Sequence, residues 1–289
     1  MSKKEDHVVN KVETTGYEWD GIKELNNPLP RWWLYVFYTT ILFAICYAVY
    51  YPAIPLIERN TEGLSNYSSR KELENEMAAV KSSHATMLEL IKTMDVSDIQ
   101  SDPKLARFAA AGGASNFKVY CSQCHGSGAQ GGVGYPNLND DDWLWGGSIN
   151  QIETTIRHGI RYEADEDTRY SEMPAFGRDQ ILSEEQIIAV ANYVCSLSGL
   201  EHEESVIALG AMVFTENCSS CHGDDGKGIN EVGAPNLADK LWLYDKSKKA
   251  ILSQIINPQH GIMPAWGNRL GDIIVKELAV YVHGLGGGE

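Results

Sequence analysis

Two hexapeptides carry residue types that could do chemistry together: CSQCHG at 121–126 and CSSCHG at 218–223. Each sets two thiols one helical turn apart and puts an imidazole directly after the second. Paired cysteines of this spacing often bind zinc, but Cys124 and His125 are chain neighbours whose side chains diverge, which disfavours their meeting on one small tetrahedral ion. A thioredoxin-like redox pair needs a βαβ context, and no strand-like alternation flanks either copy. Covalent haem c suits both copies. Cys121 with Cys124, and Cys218 with Cys221, would add to the vinyl groups along one edge of the macrocycle, and His125 or His222 would ligate the iron. Two covalently bound haem c groups are expected.

The opposite face of each iron needs a ligand, and Met173 and Met263 are the candidates. Each leads a loop-borne Met-Pro-Ala-aromatic-Gly run, MPAFG (173–177) and MPAWG (263–267). Methionine more often fills cores, but a repeated, proline-stiffened methionine downstream of C-x-x-C-H points to the iron. Thioether opposite imidazole raises the reduction potential and closes the metal to substrates, which suits an electron carrier. His158 and His260 stand in matched positions before glycine. They offer either a second imidazole ligand or a bond to a propionate or backbone group. Pro136 and Pro235 present either a carbonyl for the proximal imidazole or an ordinary turn, and Trp143, Trp145 and Trp242 either wall a haem pocket or fill core.

The elements that position these residues form an internal repeat. GASNFKVYC (113–121) matches GAMVFTENC (210–218), GYPNL (134–138) matches GAPNL (233–237), and RHGI (157–160) resembles QHGI (259–262). Each copy ends in an amphipathic helix, EEQIIAVANYVCSLSG or IIVKELAVYVHGLGG. Each is expected to be a compact helical unit in which a glycine on the first helix, Gly113 or Gly210, lets the last helix cross closely. So small a unit buries little apolar surface alone, and a covalent haem completes its core. The copies differ in one segment: RYEADEDTRYSE (161–172) has no counterpart in the second.

Upstream, RWWLYVFYTTILFAICYAVYY (31–51) carries no charge after Arg31 and is bounded by Pro30 and Pro52. A bilayer span needs about 20 apolar residues, and Trp32, Trp33 and Tyr35 at one end with Tyr47, Tyr50 and Tyr51 at the other suit the two interfaces. The run starts deep in the chain and lacks a small-x-small cleavage site, so it reads as an anchor and not as a removable signal. Lys3, Lys4, Lys11, Lys23 and Arg31 precede it, and Arg59, Arg70 and Lys71 follow, a slight bias for a cytoplasmic amino end. Attachment of haem c on the outer side of the bacterial inner membrane puts both repeats there. Between anchor and repeats, Leu73, Met77, Val80, Met87 and Ile91 form one helical stripe that also carries His84, read as a packing residue.

The chain has 289 residues, six cysteines and a formal charge of −15, most of it in the repeats. Four cysteines go to haem; Cys46 lies in the span and Cys195 in the first copy's last helix, so no disulfide is invoked. There is no phosphate loop, hydrolytic triad signature or basic patch, and no nucleic-acid partner is expected. The clusters Asp140–Asp142, Glu163–Asp167 and Glu201–Glu204 would instead attract a basic protein.

One anchor preceded by WDGIKELNNPLPRWW and followed by CSQCH…MPAFG and CSSCH…MPAWG resembles the dihaem subunit III, CcoP or FixP, of cbb3-type cytochrome c oxidases. The resemblance covers nearly the whole chain. It implies a mainly α fold: a cytoplasmic segment (1–30), a transmembrane helix (31–52), a periplasmic helical connector (53–107) and two tandem class I cytochrome c-like domains (108–200 and 201–289). The implied site residues are Cys121, Cys124, Cys218 and Cys221 for attachment and His125, Met173, His222 and Met263 for iron, with a crosswise pairing of methionines left open. The implied role is to take electrons from a donor cytochrome c and pass them to the monohaem subunit and then the haem-copper subunit, where oxygen reduction and proton pumping reside. A free-standing membrane-tethered shuttle and a dihaem peroxidase are the rival readings.

Overall fold

The computed structural model describes residues 13–287, and the chain divides into two units, one ending at Ser82 and one beginning at Ser83. Residues 1–12, with Lys3, Lys4 and Lys11 of the orientation argument, lie outside the described residues. The first unit opens with an antiparallel hairpin, β1 (Thr14–Trp19) and β2 (Ile22–Leu25), which the sequence reading did not anticipate. Its turn is Asp20-Gly21, both with positive φ (48° and 83°), the pairing that a two-residue hairpin turn requires. Helix α1 (Arg31–Tyr50) follows Pro30; none of its residues is buried, and its mean hydropathy of 1.6 with its length makes it fit to cross a bilayer. The returning chain caps it: Leu64 and Ser65 donate to the carbonyls of Val49 and Tyr50. Gly63, at φ 66°, permits this approach, since a Cβ there would lie 2.5 Å from the Tyr50 oxygen.

Helix α2 (Ser69–Thr93) carries the connector stripe, but only its end is covered. Leu73, Met77 and Val80 are exposed, whereas Ile91 is fully buried and Met87 packs beside it. The ring of His84 meets Phe108 edge-on at 5.0 Å, a packing role as expected. Lys276 closes the helix end by donating to the carbonyls of Ile91, Lys92 and Met94.

In the second unit, α3 (Val96–Ser101), α4 (Pro103–Tyr120), α5 (Ser122–His125), α6 (Ile149–His158) and α7 (Glu184–Leu197) form the first copy. The second copy contributes α8 (Ile207–Asn217), α9 (Ser219–His222), α10 (Lys248–Ile256) and α11 (Gly267–His283). Their starts are locally encoded: Asp102 caps α4 ahead of Pro103, and Ser148 and Ser183 form capping boxes with Gln151 and Gln186, each cap contributing about 1 kcal/mol.

The packing corrects one expectation. Neither copy closes on itself, because the last helices are exchanged: α4 and α6 pack against α11, while α8 and α10 pack against α7. The glycines do permit close crossings, but with the other copy's helix. A Cβ on Gly113 would lie 2.1 Å from the Glu277 carbonyl oxygen, and one on Gly210 would lie 2.2 Å from that of Ala189. One core gathers Phe117, Ile152, Ile156, Leu278 and Val282, the other Phe214, Ile251, Ile255, Val190 and Val194. Ring contacts Phe117–Tyr281 and Tyr193–Phe214 seal the two crossings. Burying a phenylalanine as fully as Phe117 or Phe214 contributes about 1.5–3 kcal/mol. Each packed half therefore draws helices from both 108–200 and 201–289.

Candidate haem sites

Each C-x-x-C-H run begins where a helix stops. Cys121 ends α4, the one-turn helix α5 follows, and Cys124 and His125 donate back to the Cys121 carbonyl at 3.1 and 3.0 Å. Gly126, at φ 80°, turns the chain, and Gly131 donates to the His125 carbonyl at 2.8 Å. Gly131 must be glycine: at φ 68°, a Cβ would lie 2.4 Å from the Tyr135 oxygen. This closure brings the Pro136 carbonyl to 3.0 Å from His125 Nδ1. The second copy repeats it through Cys218, Cys221, Gly223 and Gly228, with His222 Nδ1 at 3.0 Å from the Pro235 carbonyl.

A carbonyl only accepts, so the proton sits on Nδ1 in both rings and Nε2 is left bare, the form that ligates metal. Burial holds both histidines below their ordinary pKa, against the opposing pull of the proline carbonyls. Burial, then the neighbouring Cys124 or Cys221, pushes the thiols of Cys121 and Cys218 up to about 11.

The methionines lie crosswise. Met263 lines a cavity of about 90 Å³ with Cys121 and His125, and Met173 lines one of about 500 Å³ with Cys218, Cys221 and His222. Met263 is set by a backbone exchange with Ile160, whose N–H and carbonyl meet its own carbonyl and N–H at 2.9 and 3.0 Å. Met173 is set by a side chain: its N–H donates to Nε2 of His260 at 3.0 Å. His158, the matched residue, meets Asp165 at 3.0 Å through Nδ1. Both histidines thus hold protein groups. Trp143 and Trp145 line the His125 cavity and Trp242 the His222 cavity, so these rings wall the sites. The insert of the first copy reaches the second site: Arg161, Ser171 and Glu172 line the cavity of His222.

Pro136, Asn137, Asp142 and Leu144 line both cavities and form a shared wall. Two ring-on-glycine contacts flank it. A Cβ on Gly233 would strike the Trp145 ring at 2.2 Å, and one on Gly134 would come within 3.3 Å of Tyr244. Burial, then Asp239 and Asp140, pushes Asp142 up to about 6. Sequence reasoning passed over Glu277, which is 6% exposed where α11 crosses α4, accepts from Asn116 at 3.3 Å, and is pushed up to about 7 by burial. An acidic residue on the apolar face of EEQIIAVANYVC's counterpart, KELAVYV, was the available signal.

These residues fit haem c. The His222 cavity is lined by both thiols of its C-x-x-C-H run, an imidazole and a thioether, the His125 cavity by Cys121, an imidazole and a thioether with Cys124 one turn away, and the His222 cavity adds an orphan donor, the buried Nε1 of Trp242, to meet a carboxylate.

The family described as cytochrome c oxidase, cbb3-type, subunit III matches residues 108–194 and 205–282, and the N-terminal domain of cytochrome oxidase-cbb3, FixP, matches 11–58. The chain is 55% identical over 291 residues to the cbb3-type cytochrome c oxidase subunit FixP of Sinorhizobium medicae and 53% identical to that of Rhizobium meliloti, with all of each chain covered. It is 49% identical to subunit CcoP of Cereibacter sphaeroides, over 96% of this chain and 95% of that one. The chain is a member of the subunit III family of cbb3-type cytochrome c oxidases.

Proposed function

We propose that this membrane-anchored chain carries two covalent haem c groups whose methionines are exchanged between the repeats. Cys121, Cys124 and His125 would share a haem with Met263, and Cys218, Cys221 and His222 would share the other with Met173. A bound haem supplies a one-electron couple. The chain supplies the rest: Pro136 and Pro235 fix the imidazoles, the exchanged helices exclude water, and the thioethers of Met173 and Met263 would hold the iron and favour its reduced state. The observation that carries this reading is that each methionine lines the cavity of the other repeat's histidine. Helix α1 would hold both sites at the outer face of the inner membrane. Electrons would enter from a donor cytochrome c and leave through the monohaem subunit to the haem-copper subunit. Methionines at both cavities disfavour a peroxidase, which needs an open ligand position.

Met263→His is expected to lower the midpoint of the haem attached at Cys121 and Cys124, and Met173→His that of the haem at Cys218 and Cys221. Paired titrations with each attachment site removed in turn tell the two apart. Own-repeat shifts would overturn the exchange. Copurification of haem b and copper with the detergent-extracted chain separates an oxidase subunit from a free shuttle.

A further inference from the structure

Arg161 opens the segment that only the first repeat has, yet it lines the cavity of the second repeat's histidine. Its backbone sits at φ 51°, in the left-handed region that a residue with a Cβ rarely adopts, so its surroundings must hold it there. They do so through its backbone N–H, which donates to the Arg169 carbonyl at 2.8 Å, and through the side chain. Nε donates to the Gly261 carbonyl at 2.8 Å and Nη1 to the Ser171 carbonyl at 2.9 Å. Ser171 lies just before Met173, and Gly261 follows His260, whose Nε2 accepts the Met173 N–H. One guanidinium therefore ties together the two segments that fix Met173.

Glu172, which lines the same cavity, attracts the guanidinium only from beyond ion-pairing distance. Among the described residues no carboxylate lies within ion-pairing distance of Arg161, although it is partly buried, and burial pulls its pKa below the ordinary arginine value. Arg157 by contrast pairs with Glu153 and Asp272, and Arg169 lies over the Trp145 ring. The same cavity holds a buried donor without an acceptor, Trp242 Nε1. A partly buried guanidinium with no ion pair and an indole N–H with no acceptor, lining one cavity, suit an anionic ligand with carboxylate groups.

We propose that Arg161 is the counter-charge to a propionate of the haem held by Cys218, Cys221 and His222, and the positioning residue for Met173 at that haem. The inference rests on the reading that haem occupies this site. A fixed cation favours ferrous over ferric iron, so it raises that haem's midpoint. The insert is thus a part of the second site carried by the first repeat.

The test uses the full detergent-solubilised chain with Arg161→Gln and Arg161→Lys. The readouts are haem count by mass, visible redox titration, and the methionine-to-ferric-iron charge-transfer band. Arg161→Gln is expected to lower only the midpoint that Met173→His lowers and to weaken the charge-transfer band. Arg161→Lys keeps the charge and loses the fork, so the midpoint should hold closer to the parent while the band still weakens. If Arg161→Gln does not assemble, the lysine variant decides: an unchanged band would overturn the positioning role. Unmoved midpoints in Arg161→Gln, or a shift at the haem of Cys121 and Cys124 instead, would overturn the counter-charge. A parent chain carrying one haem, attached at Cys121 and Cys124, would remove the site and the proposal with it, a result distinct from two haems with unmoved potentials.

Discussion

The cavity at His222 holds about 500 Å³ and that at His125 about 90 Å³, although their histidine-bearing halves are near copies. On the histidine side each has a helix ending in cysteine, a one-turn helix, a glycine of positive φ and a proline carbonyl 3.0 Å from Nδ1. On the methionine side they part. Backbone holds Met263, whereas His260 holds Met173 with help from Arg161. At the crossing, Glu277 stands where the other half has Ala189. The histidine side is built from consecutive residues, so repeating the sequence repeats the structure. The methionine side is assembled from the other repeat, where the insert and the last helices differ. Duplication copied what is local, and exchange of helices left the remainder free to diverge.

Removing one haem at a time breaks this comparison most directly. Cys218→Ala with Cys221→Ala is expected to leave one haem on the denatured chain, as is Cys121→Ala with Cys124→Ala, counted by mass spectrometry. The consequences should be unequal. Emptying the wider cavity leaves more unfilled volume, and the cost of a cavity grows with its size. The melting temperature of the detergent-solubilised chain should fall further for the Cys218 and Cys221 pair; equal falls would mean that the two sites close alike.

The crossings come next. Gly113→Ala would press a methyl group onto the Glu277 backbone and Gly210→Ala one onto that of Ala189, with about 1–3 kcal/mol of overpacking each. Because the helices are exchanged, Gly113→Ala should perturb the haem that Met263 is proposed to ligate. Visible spectra resolved by haem check this, and a change confined to the Met173 haem would argue for unexchanged helices.

These crossings mark how far the sequence is legible. C-x-x-C-H, the glycines and the proline carbonyls can be read because each acts within about fifteen residues of the histidine it serves. The apolar span and the helical class follow from composition and period. Which last helix meets Gly113 cannot be read, because EEQIIAVANYVC and KELAVYV are both apolar faces of similar period, and either repeat's helix satisfies the same glycine. The insert was visible as a difference between copies, but its destination in the opposite site depends on the exchange. The hairpin at Asp20-Gly21 was legible through its turn and was passed over. Of the α2 stripe, the Met87–Ile91 end meets a core and Leu73, Met77 and Val80 stay exposed.

Glu277 sharpens the contrast with Ala189. Burial moves its carboxyl from an ordinary 4.5 to about 7. Between those values the folded chain keeps a proton that the unfolded chain has released, so stability falls as pH rises from about 4.5 to 7 and is level above. Glu277→Gln keeps an acceptor for Asn116 and removes the charge. It should flatten that slope and stabilise the chain at pH 8 by about 1–2 kcal/mol, read from denaturant midpoints at pH 5 and pH 8. A slope that survives the substitution would place the titrating group elsewhere.

The smallest effect tests what the two sites share. Asp142 lines both cavities, whereas Asp141 beside it is exposed. A carboxylate in the common wall favours ferric iron on both sides, so Asp142→Asn should raise both midpoints together. Each shift should be less than tenfold in the reduction equilibrium, below about 1.4 kcal/mol. With its acid pushed up to about 6, the effect should be present at pH 8 and fade below pH 6, where the parent side chain is already neutral. Asp141→Asn should leave both midpoints alone and act outside. An exposed acid contributes to the negative field that draws a basic donor cytochrome, over roughly the 8–10 Å Debye length of physiological salt. Stopped-flow reduction by such a donor should therefore slow with Asp141→Asn at low salt and lose that difference as salt rises. If Asp142→Asn moved only one midpoint, the wall would belong to one site, and the symmetry of the shared cavity lining would carry no electrostatic meaning.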